Sequence, residues 1–556
     1  MILTCWAWAR AMFLFIVCPT LYSAQVPADL DSGTPARSFS PALTFRTVGV
    51  SEQPIRAPAS SFDGAGRSQT VENAERPTME EQCLSVGTRR ELFWDEYLID
   101  ATRTTAKLKL HAPQPREVVM VHDAPWEGDG CDYHCIVADD GLYRMYYLGW
   151  TMMDPDGTRH AARRIVVCYA ESTDGTTWVK PDLGLCAFEG SGDNNILLDE
   201  NTAKFDNFYV FTDTRPGCSK EERYKGVALD GNDRYLWCFT SGEGIRFRKA
   251  WRMTNQGKFD TLNVAFWDRH TRQYFCYIRD FHDVPPGGPL NEGIRDIRWM
   301  TSDDFKTWTT PVRLDFGEVE DYPLYTNVAQ PYYRGDHMFV GFPTRYVERK
   351  EWTPNFDQLP GAERRRKRMQ LSPRYGLAVT DCVFMCSRDG KRWRRWDEAF
   401  MRPGPEREYN WVYGDCYPAV GMIETPSHLP YAAPELSMYA FDNHWGQIPA
   451  ELRRYTIRID GFVSYNATFA PQRVVTKPFT FAGRTLSINF ATSAAGYVRI
   501  QLHGAGTTLT SCELFGDSLA RRVVFEDGDV SQLAGRPVTM EIEMSDADVY
   551  SFKFDE

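Results

Sequence analysis

Eight acidic side chains recur along this chain just ahead of apolar, strand-like runs: Glu127, Asp129 and Asp132, then Asp206, Asp260, Glu320, Asp321 and Asp415. Carboxylates gathered around one cavity repel one another, so some are driven to the neutral form while others stay ionised. A general acid and its partner base or nucleophile need that division, and hydrolysis of glycosidic bonds uses such a pair. Aromatic and cationic residues stand beside the acids: Trp126, Tyr133, His134, Tyr325, Trp411 and Tyr413, with Arg279 and Arg345 at strand ends. Sugars offer apolar C–H faces to aromatic rings and hydroxyls to Arg and Asp, so the mixture suits a saccharide. Each residue alone could equally cap a turn or pack between sheets; the set points to one site.

Such a set needs a scaffold that returns the chain repeatedly to one place. A short phrase supplies the sign of it: Ser172-Thr-Asp174-Gly175-Thr-Thr-Trp178, Ser241-Gly-Glu243-Gly244-Ile-Arg-Phe247, Ser302-Asp-Asp304-Phe305-Lys-Thr-Trp308 and Ser387-Arg-Asp389-Gly390-Lys-Arg-Trp393. The acid folds onto nearby backbone N–H groups, Gly takes the left-handed turn conformation, and the aromatic plugs the space between neighbouring sheets. A repeated β unit of this kind predicts a propeller, each phrase clasping one blade. The third copy, with Phe305 in place of Gly, is expected to turn differently. Strand–turn–strand patterns such as Tyr133 to Ala138 with Leu142 to Leu148 recur between the clasps. They give blades at about 125–182, 205–255, 259–312 and 321–397, with a fifth at 410–460 closed by strands from the region around Leu92. In a propeller the residues just before each innermost strand converge on one mouth, which is where the acids fall. A basic stretch in the fourth blade, Ala362-Glu-Arg-Arg-Arg-Lys-Arg368, reads as a solvated loop or short helix.

The fold class expected is therefore all-β: a signal peptide over 1–24, a disordered linker over 25–88, a five-bladed β-propeller over 89–460 and a C-terminal β-sandwich over 461–556. The signal reading rests on Arg10 followed by a short apolar run to Leu21, and implies a secreted or periplasmic protein. Residues 25 to about 85 are rich in small and polar residues without periodicity. A net charge of −12 argues against nucleic acid as partner, and no membrane contact is expected once the signal is removed. Twelve cysteines would remain, an even number compatible with disulfides, although Cys168, Cys238, Cys276 and Cys382 sit in apolar runs that suit core residues. No zinc-ligand spacing is present and no cofactor is expected; a structural Ca²⁺ among the channel carboxylates would be compatible with their number, without EF-hand spacing.

Leu92-Phe-Trp-Asp-Glu-Tyr-Leu-Ile99, Pro125-Trp-Glu-Gly128, Cys168-Tyr-Ala-Glu-Ser172, Gly192-Asp-Asn-Asn-Ile196, Asn263-Val-Ala-Phe-Trp-Asp268, Asn410-Trp-Val-Tyr-Gly-Asp415 and Arg458-Ile-Asp-Gly-Phe-Val463 together resemble exported bacterial propeller proteins of the glycosyl-hydrolase-like kind. The resemblance spans about 90 to 556 and implies a five-bladed propeller distantly related to glycoside hydrolase families 32 and 43, which use three channel carboxylates. Their Trp-x-Asp-Pro signature is replaced here by Trp126-Glu-Gly-Asp129. The resulting expectation is a glycosidase acting on polysaccharide or oligosaccharide. Asp129 would serve as base or nucleophile, Asp260 as modulating or sugar-orienting carboxylate, and Glu320 or Asp321 as general acid. Trp126, Glu127, Asp132, His134, Asp206, Arg279, Tyr325, Arg345, Trp411 and Asp415 would contact the sugar. The alternative is a carbohydrate-binding propeller without turnover; a sialidase fits less well, because its clasps separate Asp from Gly.

Overall fold

Five four-stranded antiparallel sheets follow one another along the chain in the computed structural model, which describes residues 83–154, 159–160, 165–289 and 292–556. The expected signal peptide and most of the expected linker lie outside the described residues. Blade 1 is Cys135–Asp139, Leu142–Gly149, Val166–Ser172 and Ile196–Leu198; blade 2 is Tyr209–Thr212, Tyr224–Asp230, Tyr235–Ser241 and Arg248–Thr254. Blade 3 is Val264–Asp268, Gln273–His282, Ile294–Ser302 and Val312–Arg313. Blade 4 is Gln330–Pro331, Phe339–Gly341, Met385–Ser387 and Arg394–Arg395. In blade 5, Ile423–Thr425, Glu435–Asp442 and Glu451–Ile457 are completed on the outside by Gln114–Val121. Blade sheets are covered on both faces, so their inner strands read as continuous apolar runs rather than alternating ones; Met145 to Gly149 is buried at every position.

The ring therefore closes with Gln114–Val121, and the strand at Leu92 goes elsewhere: Arg90–Leu92 pairs with Val538–Asp555. Leu84–Gly87, inside the expected linker, and Lys107–Leu110 also join the C-terminal sheet. That ten-stranded sheet closes over its own core of Val474, Phe479, Ile488, Ile500, Ile542 and Phe552, and is the expected sandwich. Its longest members include Thr485–Gly504, one continuous strand with a bulge between Thr492 and Tyr497. Ring and sandwich share a buried seam. Trp94 packs on Tyr332, Phe384 and Phe462, and the Asp460 carboxylate accepts from Tyr332 Oη (2.7 Å), Arg334 Nε (3.0 Å) and Ser551 Oγ (2.7 Å).

Each clasp has the expected hydrogen bonding. Ser172 Oγ accepts from Gly175 N at 2.9 Å, and Asp174 Oδ1 accepts from Thr176 N and Thr177 N at 2.7 Å. The Phe305 copy is a correction, because it makes the same turn: Phe305 N reaches Ser302 Oγ at 2.9 Å with φ +63°. The reason lies one blade away. Tyr439 of blade 5, Tyr146 of blade 1 and Tyr277 of blade 3 donate their hydroxyls to the carbonyls of Gly175, Gly244 and Gly390 in the next blade's clasp, at 2.6, 2.8 and 2.8 Å. A Cβ at Gly244 or Gly390 would stand 2.9 or 2.7 Å from that hydroxyl. Tyr143, Tyr224 and Tyr274 face the clasp serines of their own blades, and three residues on stand Tyr146, Val227 and Tyr277. Blade 2 thus offers Val227 where its neighbours offer Tyr, and the buried Phe305 ring lies against Phe211 and Tyr274. Packing there overrides the left-handed penalty of about 1–2 kcal/mol for a side chain with Cβ. Phe305→Gly should accordingly lower stability by on the order of 3 kcal/mol despite relieving φ, read as a drop in the unfolding midpoint. Gly390→Phe should also destabilise, because Tyr277 fills the space; a stabilised Phe305→Gly variant would contradict the packing account.

Between the second and third strands of blade 4 lies an insertion made of the hairpin Thr344–Glu348 with Ala378–Cys382 and short helices at Pro354–Gln358, Ala362–Arg368 and Arg374–Leu377. The basic stretch is the middle helix, but it is not simply solvated: Arg365 and Arg368 are buried. None of the described cysteines forms a disulfide; Cys168, Cys238 and Cys276 are fully buried in blade strands and Cys382 in the insertion hairpin. Among the described residues no helix is long and apolar enough to cross a membrane.

Candidate functional site

The first strands of blades 1, 2 and 3 begin at Cys135, Tyr209 and Val264, and an aspartate stands three or four residues before each: Asp132, Asp206 and Asp260. All three line one cavity of about 160 Å³, with Tyr133, Trp150, Tyr325, Arg374, Tyr375, Tyr413, Tyr417 and Trp445. The backbone at this mouth is held in unusual conformations. Tyr133, Phe259, Val328 and Cys416, each close to the start of an inner segment, all have φ between +44° and +58°. Such left-handed backbone in bulky residues persists only where the surroundings impose it. Buried amides do so here: Asn207 Nδ2 donates to Phe259 O at 2.6 Å, Asn263 Nδ2 to Thr261 O at 2.8 Å, and Asn327 Nδ2 to Leu262 O at 3.0 Å. Loops of adjacent blades are thereby bolted together beneath the aspartates.

The three carboxyls sit in different surroundings. Asp132 is 2% exposed and its Oδ1 has no hydrogen-bond partner among the described residues. Burial, with the negative charge of Asp206 nearby, pushes Asp132 well above the usual carboxylate range. Burial and the charge of Asp260 bring Asp206 up to about 6. Asp260 is half-exposed and meets a cation: Arg279 Nε lies 3.6 Å from its Oδ1. That guanidinium is itself fixed, sandwiched at 4.6 Å from the Phe281 ring and 4.7 Å from the Tyr325 ring, and it donates to Tyr325 O at 3.0 Å. Across the cavity an aromatic wall runs from Tyr325 to Tyr413 (5.4 Å between rings), on to Trp445 (4.7 Å) and Trp150 (6.1 Å). Two carboxyls held toward the neutral form, a third beside a buried arginine, and a wall of rings and hydroxyls form a site that can donate and accept protons against a polar ligand with apolar faces.

The structure brings Asp132, Asp206, Asp260 and Tyr325 to this cavity and places Arg279 directly behind it. Other expected residues lie apart from it. Asp129 faces a neighbouring cavity of about 340 Å³ with His122, Asp123 and Gln447, and accepts from Met152 N at 3.2 Å and Gln447 N at 2.9 Å. Glu127 is buried against Tyr147 Oη at 2.5 Å and Lys180 Nζ at 2.7 Å. Glu320 and Asp321 are near the outer strands: Arg395 donates to Glu320 O at 2.5 Å, and Asp321 binds His282 Nε2 at 2.8 Å and Arg313 Nη2 at 2.7 Å. Asp415 closes its own turn, accepting from Val412 N at 2.8 Å, and burial pushes it up to about 7. His134 is buried, held well below its usual range by desolvation, and meets His122 Nε2 at 2.9 Å. Trp126 donates to Asn195 Oδ1 at 2.6 Å, Trp411 to Gly404 O at 3.0 Å, and Arg345 grips Asp381 at 2.9 and 2.6 Å. For the glutamate and aspartate at 320 and 321, counting back from the strand would have given warning. Blade 4 begins at Gln330, so the matching position is Thr326 or Asn327. Arg374, Tyr375 and Trp445 were not anticipated. The first two arrive on the insertion, which carries no repeat signal. Among the described residues no cluster of three or more His, Cys, Asp or Glu side chains is arranged to hold a metal ion.

No family model and no curated protein matches the chain. Several solved structures are similar to it at low identity. A Schwanniomyces occidentalis fructofuranosidase variant complexed with fructosylnystose has 10% identity and a TM-score of 0.33, covering 82% of this chain and 98% of its own. An N-acetylgalactosamine deacetylase from F. plautii in complex with blood group B trisaccharide has 12% identity and a TM-score of 0.38, covering 62% and 94%. An exo-β-1,3-galactanase from Phanerochaete chrysosporium with galactose has 9% identity and a TM-score of 0.33, covering 78% and 99%.

Proposed function

We propose that the chain is a glycoside hydrolase-like protein acting on polysaccharide or oligosaccharide through Asp132, Asp206 and Asp260. The observation that carries this reading is the convergence of those three aspartates, from equivalent positions in three successive blades, on one cavity walled by tyrosine and tryptophan. Asp206 is the general acid: burial and its neighbour's charge keep a proton on it near pH 6. Asp260, half-exposed and steadied by Arg279, is the base or nucleophile. Asp132 is held neutral, so it can donate a hydrogen bond to a sugar hydroxyl while its burial keeps a second negative charge out of the site. The aromatic wall stacks on the sugar's C–H face. Export is proposed from the sequence alone, and Asp129, Glu320 and Asp321 are left out of the reaction because they do not line this cavity.

The test is release of reducing sugar from a polysaccharide panel between about pH 4 and 8, the range in which paired carboxylates act. Turnover should fall on the alkaline side with an apparent pKa near 6, as Asp206 loses its proton. Glycan binding without release at any pH in that window would leave a carbohydrate-binding propeller in its place. A stability effect accompanies the same group. Because the folded-state value of Asp206 is raised, its unfavourable ionisation weakens the fold as pH rises from about 4 through about 6. Asp206→Asn should therefore melt higher than the parent at pH 7 to 8, with the difference vanishing near pH 4. A variant that melts lower at pH 8 would contradict the burial assigned to this carboxyl.

A further inference from the structure

One cation on the cavity wall has no carboxylate partner among the described residues. Arg374 opens the short helix Arg374–Leu377 of the blade 4 insertion and is the one arginine among the described residues that lines the cavity. The other candidate arginines are engaged: Arg279 lies 3.6 Å from Asp260, and Arg345 is bidentate on Asp381. The protein partner described for Arg374 is the Tyr375 hydroxyl, at 3.3 Å from Nη2. Its guanidinium is nevertheless oriented, at 4.9 Å from the Tyr375 ring and 5.5 Å from the Tyr413 ring, and those two rings are stacked at 6.3 Å and 17°. An aromatic collar of this kind holds the planar fork in place, so little side-chain freedom is lost when it binds. A solvated surface arginine needs no collar and no cavity.

We infer that Arg374, collared by Tyr375 and Tyr413, recognises an oxyanion substituent of the bound glycan, either a uronate carboxylate or a sulfate ester. The inference rests on the glycan reading above and narrows it to anionic glycans. The guanidinium fork matches the geometry of either group through two parallel N–H···O bonds. The three aspartates do not forbid an anion here, since Asp132 and Asp206 are held toward their neutral forms. The two sources of oxyanion differ only in the sugar that carries them.

The experiment is calorimetric binding of the full chain to two matched pairs: oligogalacturonate against its carboxyl-reduced counterpart, and sulfated galactan oligosaccharide against its desulfated counterpart. The parent should bind the anionic member of one pair at least about tenfold more tightly, the range expected of a charge-assisted hydrogen-bonded pair. That preference should weaken as salt rises. Arg374→Gln should bring the ratio close to one, and Arg374→Lys should keep part of it. The salt dependence of the parent decides the matter if the Gln variant does not fold. Equal binding of both members, or a preference that survives Arg374→Gln, overturns the inference and leaves the glycan reading standing. Failure of every probe to bind overturns both.

Discussion

Asp460→Ala should destabilise the protein by on the order of 3–5 kcal/mol, the range for removing one partner of a buried ion pair. The carboxylate is fully buried and accepts from Tyr332, Arg334, Asn489 and Ser551, with Arg90 Nη1 at 3.5 Å. Tyr332 and Arg334 belong to the ring, whereas Arg90, Asn489 and Ser551 belong to the C-terminal sheet. Deleting the carboxylate leaves two guanidiniums and a phenol without their acceptor along that seam. Asp460 also sits at φ +63°, a conformation that Asp and Asn tolerate and Ala does not. Asp460→Asn should therefore lose less than Asp460→Ala. Thermal unfolding followed by intrinsic fluorescence reads both, since Trp94 donates to Asp460 O at 3.0 Å and reports on the seam. Parental melting of Asp460→Ala would mean that ring and sandwich are held together by their apolar contacts alone.

The second large effect concerns turnover. Asp→Asn at 132, 206 or 260 keeps side-chain shape and removes an ionisable proton site, so folding should survive at each. Release of reducing sugar should fall by roughly two orders of magnitude or more for Asp206 and Asp260, the contribution of a positioned acid or base. Asp132→Asn should lose less, because an amide can still donate to a sugar hydroxyl. Its alkaline limb should stay where the parent's is, since the charge that raises Asp206 is that of Asp260.

Much of this arrangement was legible in the residues. The clasp phrase specified its own hydrogen bonds, because Ser, Asp and Gly at those spacings can close only one kind of turn. The five-blade count followed from the clasps and the strand pairs between them. Phe305 was misjudged because its conformation depends on Val227, a residue in another blade that register alone brings opposite the gap. The closing strand was misplaced for a similar reason: Leu92 and Val118 to Val121 are both apolar, and only ring geometry decides which one pairs with Glu451–Ile457. Asp132, Asp206 and Asp260 were in view from the start, but within a larger acidic set that also held Asp129, Glu320 and Asp321, which do not line the cavity. Distance from the strand's first residue separates the cavity aspartates from Asp129 and Asp321. Proximity to an apolar run does not. Arg374 lies in an insertion whose sequence says helix and charge but not which cavity it reaches.

The most direct test of the central claim sets Asp206→Asn beside Asp321→Asn. Asp321 lies at the outer strands, paired with His282 and Arg313, and has no place in the cavity. Sugar release and calorimetric glycan binding would be measured for both variants on the substrate that the parent cleaves. The account predicts that Asp206→Asn still binds but loses about a hundredfold or more in release, while Asp321→Asn releases sugar at the parental rate. Loss of release in Asp321→Asn with parental release in Asp206→Asn would contradict it and move the chemistry out of this cavity.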